Sequence, residues 1–181
     1  MTWRTHVLAG VGSLWAIQAV PMPPPQTPFG VLAVVAALGA LLPDLDARGG
    51  KLQSLSIAGV RPLAPISAAA HAVLGHRGMM HSVTALLILG LLVTPTSIWI
   101  GFGPMAALML GYASHLLADA GTPSGVPFFY PDLRRWHVLP RRLRITTGSV
   151  AEQALFPFLL AAVGSLLLGA VRCLVNAGPW S

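Results

Sequence analysis

The chain has 181 residues, of which 55% are hydrophobic and only 9% charged, and its mean hydropathy is +0.73. A water-soluble domain carries about 25% charged residues, so this composition excludes an ordinary soluble globule and points to a bilayer. The net charge of +6 does not indicate nucleic acid, because no recognised nucleic-acid-binding module accompanies it.

Five apolar stretches follow one another, at residues 7–20, 29–42, 83–100, 102–117 and 154–175. A spanning helix needs about 20 residues, with a range of about 17 to 25. The third and fifth stretches meet this and the fourth nearly does. The first two are short and must recruit flanking residues, thin the bilayer or penetrate partway. The first opens like a signal peptide, with "MTWR" before an apolar core, but is expected to remain as a helix. "PMPPPQTP" then makes a stiff turn, since proline fixes φ and donates no backbone hydrogen bond. Between the second and third stretches, Leu63, Ile66, Ala70, Val73 and Leu74 recur at helical spacing. This segment is too short to span, which predicts an interfacial or bundle-packed helix starting near Pro65 and ended by Gly75. "TPTSIWIGFGP" is expected to break the third helix from the fourth. The fold class is therefore an all-α integral membrane protein, a single domain over 1–181 with about five transmembrane helices and one short interfacial helix. The lone Cys173, in the last apolar stretch, is expected only to pack.

Charge placement orients this arrangement. With the N-terminus cytoplasmic, the inside segments hold Arg4, Arg48, Lys51, Arg61, Arg77, Arg134, Arg135, Arg141, Arg142 and Arg144, leaving only Arg172 outside. Lys and Arg gather on the cytoplasmic side of membrane proteins, where they also meet anionic head groups. The expectation from this pattern is a multi-pass protein with its N-terminus inside.

The five acids (Asp44, Asp46, Asp119, Asp132, Glu152) and six histidines (His6, His71, His76, His81, His115, His137) all fall in the same inside segments. "LLPDLD" closes the second stretch with Asp44 and Asp46 in a segment expected to be extended or turning, where both carboxylates can lean towards one point. His115 and Asp119, four apart near the end of the fourth stretch, share a helix face and can bind one ion. An aspartate within a span costs about 2.5–3.5 kcal/mol on insertion scales, which favours a functional role over packing. In "GHRGMMHS", His76 and His81 flank the start of the third stretch. His6 lies on the same side at the start of the first. Alone, each histidine reads as an interfacial residue; with the aspartates they form a His/Asp set at the cytoplasmic edge of the bundle. Glu152 could be a helix-start acid, a general base or a partner that orients a ligand histidine. His71 and His137 stay outside this set. The donors suit one or two divalent ions, with Zn, Mn or Fe ahead of Mg.

These motifs, "LLPDLD", "GHRGMMHS" and "GYASHLLADAGTPSGVPFFYP", with "TH" near the start and "GSVAE" before the last stretch, resemble the YdjM-like, LexA-regulated family of inner-membrane metal-dependent hydrolases. The resemblance implies a location in the bacterial inner (plasma) membrane and a site of Asp44, Asp46, His76, His81, His115 and Asp119, with Arg77, Ser82 and Thr122 close by. One departure is Met80, where the family often has Thr.

The function expected is metal-dependent hydrolysis, through a water activated by the ion, of a phosphoester in a lipid or other amphipathic substrate. Glu152 or Asp46 would relay the proton, and Arg77 with one of Arg141, Arg142 or Arg144 would meet the anionic group. The partners are membrane lipid and a lipid-linked phosphoester such as a phospholipid or polyprenyl phosphate, with no nucleic acid. The rival is a metal-binding membrane protein without catalysis: a structural site, a sensor or a metal-ion carrier. A carrier is disfavoured because transporter sites lie near the midplane between repeats, and no repeat is visible.

Overall fold

The computed structural model describes residues 1–19, 27–46, 56 and 78–176. Among these residues the chain is helical, with no β-strand beyond a single antiparallel bridge between Val126 and Trp136. The predicted helix near Pro65 lies outside the described residues, as do His71, His76 and Arg77.

The first apolar stretch is not one helix. Helix α1 covers Trp3–Gly12 and α2 covers Trp15–Ala19. The Thr2 hydroxyl accepts from the Thr5 amide and caps α1, so the helix begins four residues before residue 7. The chain breaks between Gly12 and Trp15, where the Ser13 hydroxyl donates to the Gly10 carbonyl at 2.6 Å. His6 therefore sits within α1.

Helix α3, Phe29–Leu41, runs into a 3₁₀ turn at Leu42–Asp46. The segment expected to be extended is thus helical, a tightening common at helix C-termini, and it holds Asp44 beneath α3. After a 3₁₀ turn at Met79–His81, α4 (Val83–Val93), a further 3₁₀ turn (Thr94–Thr96) and α5 (Ser97–Ile100) form one helical run. It ends at Ile100, the predicted limit of the third stretch, and passes through Pro95. Thr94, Thr96 and Ser97 hydroxyls donate to the carbonyls of Gly90, Val93 and Thr94 at 2.6–2.7 Å, and the chain turns only at Gly101. Helix α6 spans Phe102–Ala120, three residues beyond the predicted end, which carries Asp119 on the helix. Helix α7, Val150–Asn176, starts four residues before the predicted stretch and so includes Glu152.

Two of these runs, Val83–Ile100 and Val150–Arg172, are long and apolar enough to cross a membrane. Both leave large side chains uncovered, including Leu91, Trp99 and Phe158, faces that suit acyl chains rather than water.

Helices α1, α3 and α6 form the packed centre. Val11, Leu14, Leu32, Ala36, Ala107 and Leu166 make one buried cluster, and Ala85, Tyr112 and Leu116 make a second. Their approach is close enough to require glycine. A Cβ on Gly10 would lie 2.6 Å from the Ala40 Cβ, and one on Gly111 would collide with the Ala36 carbonyl oxygen. Gly10 is four residues after His6, and Gly111 four before His115, so each pair shares a helix face. The small residues that bring the backbones together also bring these imidazoles together.

Candidate metal centre

Five side chains from four elements meet at one end of this packed centre: His6 from α1, Asp44 from the 3₁₀ turn after α3, His81 from the turn before α4, and His115 and Asp119 from α6. His6, His81, His115 and Asp119 are buried, while the Asp44 side chain keeps 27% of its surface exposed. Asp44 thus forms the open edge of a closed cluster.

The atoms converge. His81 Nε2 lies 3.4 Å from His115 Nε2 and 3.5 Å from Asp44 Oδ1. His115 Nε2 lies 3.9 Å from Asp44 Oδ1 and 3.8 Å from Asp119 Oδ2, and His81 Nε2 is 3.9 Å from Asp119 Oδ2. Tetrahedral coordination at bond lengths of about 2.0–2.2 Å separates ligand atoms by about 3.3–3.6 Å. The two histidine nitrogens stand at that spacing from each other, and at that spacing or a few tenths of an ångström wider from the Asp44 and Asp119 oxygens. The other Asp119 oxygen, Oδ1, faces His6 Nε2 at 3.3 Å and the Met1 amine at 2.8 Å. His6 stacks on His115 with ring centroids 3.8 Å apart, and its buried Nδ1 has no hydrogen-bond partner among the described residues.

The surrounding bonds orient these donors. His115 Nδ1 donates to the Ala40 carbonyl at 2.7 Å, which leaves the Nε2 lone pair aimed into the cluster. The Tyr112 hydroxyl donates to the Met80 carbonyl and holds the turn that carries His81. Burial alone would raise the Asp44 carboxyl, but the His81 hydrogen bond and the neighbouring imidazoles of His115, His6 and His81 hold it down at about 2. It is an acceptor throughout the physiological range. The two buried His/Asp groups, His6–His115–Asp119 and Asp44–His81–His115, could each hold a metal ion.

The remaining predicted residues stand elsewhere. Asp46 ends the same 3₁₀ turn as Asp44. Glu152 is buried, and its carboxylate accepts three hydrogen bonds: Oε1 from the Thr2 amide and the Thr5 hydroxyl, and Oε2 from the Gly148 amide, each at 2.6 Å. It ties the first turn of α1 to the start of α7 and positions His6 through the backbone. Ser82 caps α4, accepting from the Ala85 amide at 3.1 Å. Thr122 closes α6, donating to the Asp119 carbonyl at 2.7 Å. Arg144 Nε donates to the Leu139 carbonyl within the loop. The sequence does not single out Thr2, Thr5, Tyr112 or the Ala40 carbonyl, although Thr5 lies in "TH" and Tyr112 in "GYASH": the partners of Thr2 and Thr5 lie about 150 residues away along the chain, and the Ala40 contribution is backbone.

Two helices long and apolar enough to cross a membrane, joined to a buried His/Asp cluster that could hold a metal ion, define the class of protein. The family model described as YdjM inner membrane protein matches residues 1–176, and the chain belongs to that family. Bacillus subtilis (strain 168) YvsG is 33% identical over 154 residues, 84% of this chain and 86% of that protein. The inner membrane protein YdjM of Escherichia coli (strain K12) is 40% identical over 99 residues, 53% of this chain and 47% of its own length. The alignment thus spans about half of YdjM. No solved structure matches.

Proposed function

We propose that this chain is a membrane-embedded, metal-dependent hydrolase acting on a phosphoester of a lipid or other amphipathic molecule at the cytoplasmic face. The observation that carries this reading is the convergence on two histidine nitrogens: His81 Nε2 and His115 Nε2 stand 3.4 Å apart, and each lies 3.5–3.9 Å from both Asp44 Oδ1 and Asp119 Oδ2. These four residues would hold the ion, and His6 would steady Asp119 from its other oxygen or serve a second ion sharing that carboxylate. A bound divalent ion supplies Lewis acidity and lowers the pKa of water to about 7. The chain's own parts do the rest. The Ala40 carbonyl keeps the His115 proton on Nδ1. The packed helices bury His6, His81, His115 and Asp119, and the exposed edge of Asp44 is where substrate would approach. Because Glu152 already accepts three hydrogen bonds, the proton relay falls to Asp46, two residues from Asp44. Arg77, four residues before His81 in the sequence, would meet the anionic group.

The five-span arrangement with a cytoplasmic N-terminus is part of the same reading. It places ten of eleven basic residues on one side and assembles helix ends carrying the His/Asp set on that side. A non-catalytic metal site is the alternative, favoured by the burial of His6, His81, His115 and Asp119, since catalytic sites keep a coordination position open.

The test is purification in detergent, measurement of bound metal, and assay against a panel of lipid and generic phosphoesters. Turnover lost in Asp44→Ala and His115→Ala supports the hydrolase. Retained metal with no turnover on any ester leaves the structural site as the better reading. For topology, single cysteines in 21–28 and 130–140, introduced after replacing Cys173, should react from opposite sides.

A further inference from the structure

A cleft of about 550 Å³ lies beside the first turns of α1 and α7, lined by Thr2, Trp3, Arg4, Glu152, Gln153 and Phe156 among others. That volume falls within the range of about 300–1,000 Å³ typical of ligand sites. Its place in the membrane is set by α7: Glu152, Gln153 and Phe156 occupy the first two turns of the run Val150–Arg172, which is long enough to cross. The cleft therefore opens where the hydrocarbon ends and head groups begin.

Its charges are close in space but not paired with each other. Arg4 is exposed, lies over the Trp3 ring at 5.6 Å, and has no ion pair among the described residues. Glu152 forms the other pole. A carboxylate offers about four acceptor positions. Thr2 and Thr5 take both positions on Oε1 and Gly148 takes one on Oε2, so one Oε2 position has no donor among the described residues. Trp3 and Phe156 add half-exposed aromatic faces, 40% and 36% accessible. A cation at the rim, a carboxylate with that one acceptor position and apolar walls at a helix end match a zwitterionic lipid head.

We propose that this cleft binds phosphatidylethanolamine, with Arg4 on the phosphate, the ammonium donating to Glu152 Oε2, and Trp3 and Phe156 against the glycerol and upper acyl chain. Phosphatidylcholine has the same charges but no N–H to donate, and phosphatidylglycerol lacks the cation. The inference is separate from the metal reading and rests on the membrane placement of α7.

The experiment is native mass spectrometry of the full chain released from nanodiscs containing equal amounts of the three lipids. Phosphatidylethanolamine should be retained about tenfold over each of the others. Arg4→Gln should reduce that retention about tenfold, while Arg172→Gln, at the opposite end of α7, should not. Equal retention of ethanolamine and choline lipids would overturn the proposal, as would an Arg4→Gln protein that retains lipid like the wild type. So would displacement by free phosphoethanolamine at the lipid's own concentration, because the chains would then contribute nothing. Bound metal, measured in the same samples, should be unchanged by Arg4→Gln, so the two readings fail separately.

Discussion

The His115 Nδ1–H bonds the Ala40 carbonyl at 2.7 Å, joining the imidazole of α6 to the last turn of α3. That bond fixes both the tautomer and the tilt of the ring, and with them the direction of Nε2. Its acceptor is a backbone atom made available where α3 ends, since the last carbonyls of a helix have no partner within it. The end of one helix thus orients a donor on another.

Removing that imidazole tests the centre directly. His115→Ala should lower the affinity for Zn or Mn by more than the roughly 10–100-fold typical of losing an outer-shell partner. His6→Ala should cost less if His6 only steadies Asp119, and should halve the number of bound ions if it serves a second one. Metal content by plasma mass spectrometry and titration against a competing chelator separate these outcomes.

Acid should act on the metal-free protein through Asp44. Its folded-state pKa, held at about 2, lies below the ordinary carboxylate value. A depressed pKa contributes stability that is fully present above the unfolded value near 4 and disappears as pH falls through the folded value. The contribution is on the order of 2 kcal/mol at neutral pH, an upper figure because the side chain is partly exposed. Thermal unfolding of chelator-treated protein should therefore lose stability between about pH 4 and 2, and Asp44→Asn should flatten that limb.

Close helix packing is the third test. Gly111→Ala would drive a methyl group into the Ala36 carbonyl oxygen, forcing α6 away from α3. Overpacking of this kind costs about 1–3 kcal/mol, and the displacement would also separate His115 from Ala40. A lower unfolding temperature together with weaker metal binding is expected. Gly164→Ala, with open space around its Cβ position, should leave both unchanged.

Much of this site was legible in the sequence. His115 and Asp119 share a helix face by spacing alone, and the confinement of every acid and histidine to one set of segments pointed to a single cluster. Helix limits were less legible because capping and hydroxyl chemistry decide them. Thr2 starts α1 early, and the chain breaks between Gly12 and Trp15 with no proline to mark it. For Glu152 the sequence offers a helix-start acid, a general base or a partner orienting a histidine and cannot choose among them, since its partners Thr2 and Thr5 are 150 and 147 residues away.

That role yields the last test. Glu152 gathers Thr2, Thr5 and Gly148 at 2.6 Å and never touches the His/Asp cluster among the described contacts. If it were the general base, Glu152→Gln would abolish turnover while leaving metal affinity intact. As an anchor it behaves differently. Glu152→Ala leaves the Thr2 and Gly148 amides and the Thr5 hydroxyl without their acceptor, and each unsatisfied buried group costs about 1–3 kcal/mol. The first turn of α1 should loosen, and His6 with it. Proteolysis near the N-terminus should accelerate, and metal affinity should fall several-fold although no ligand was removed. Glu152→Gln keeps one acceptor oxygen, so it should recover part of both effects. Measuring protection and metal affinity together in the two variants distinguishes an anchor from a base, because only an anchor moves both in step.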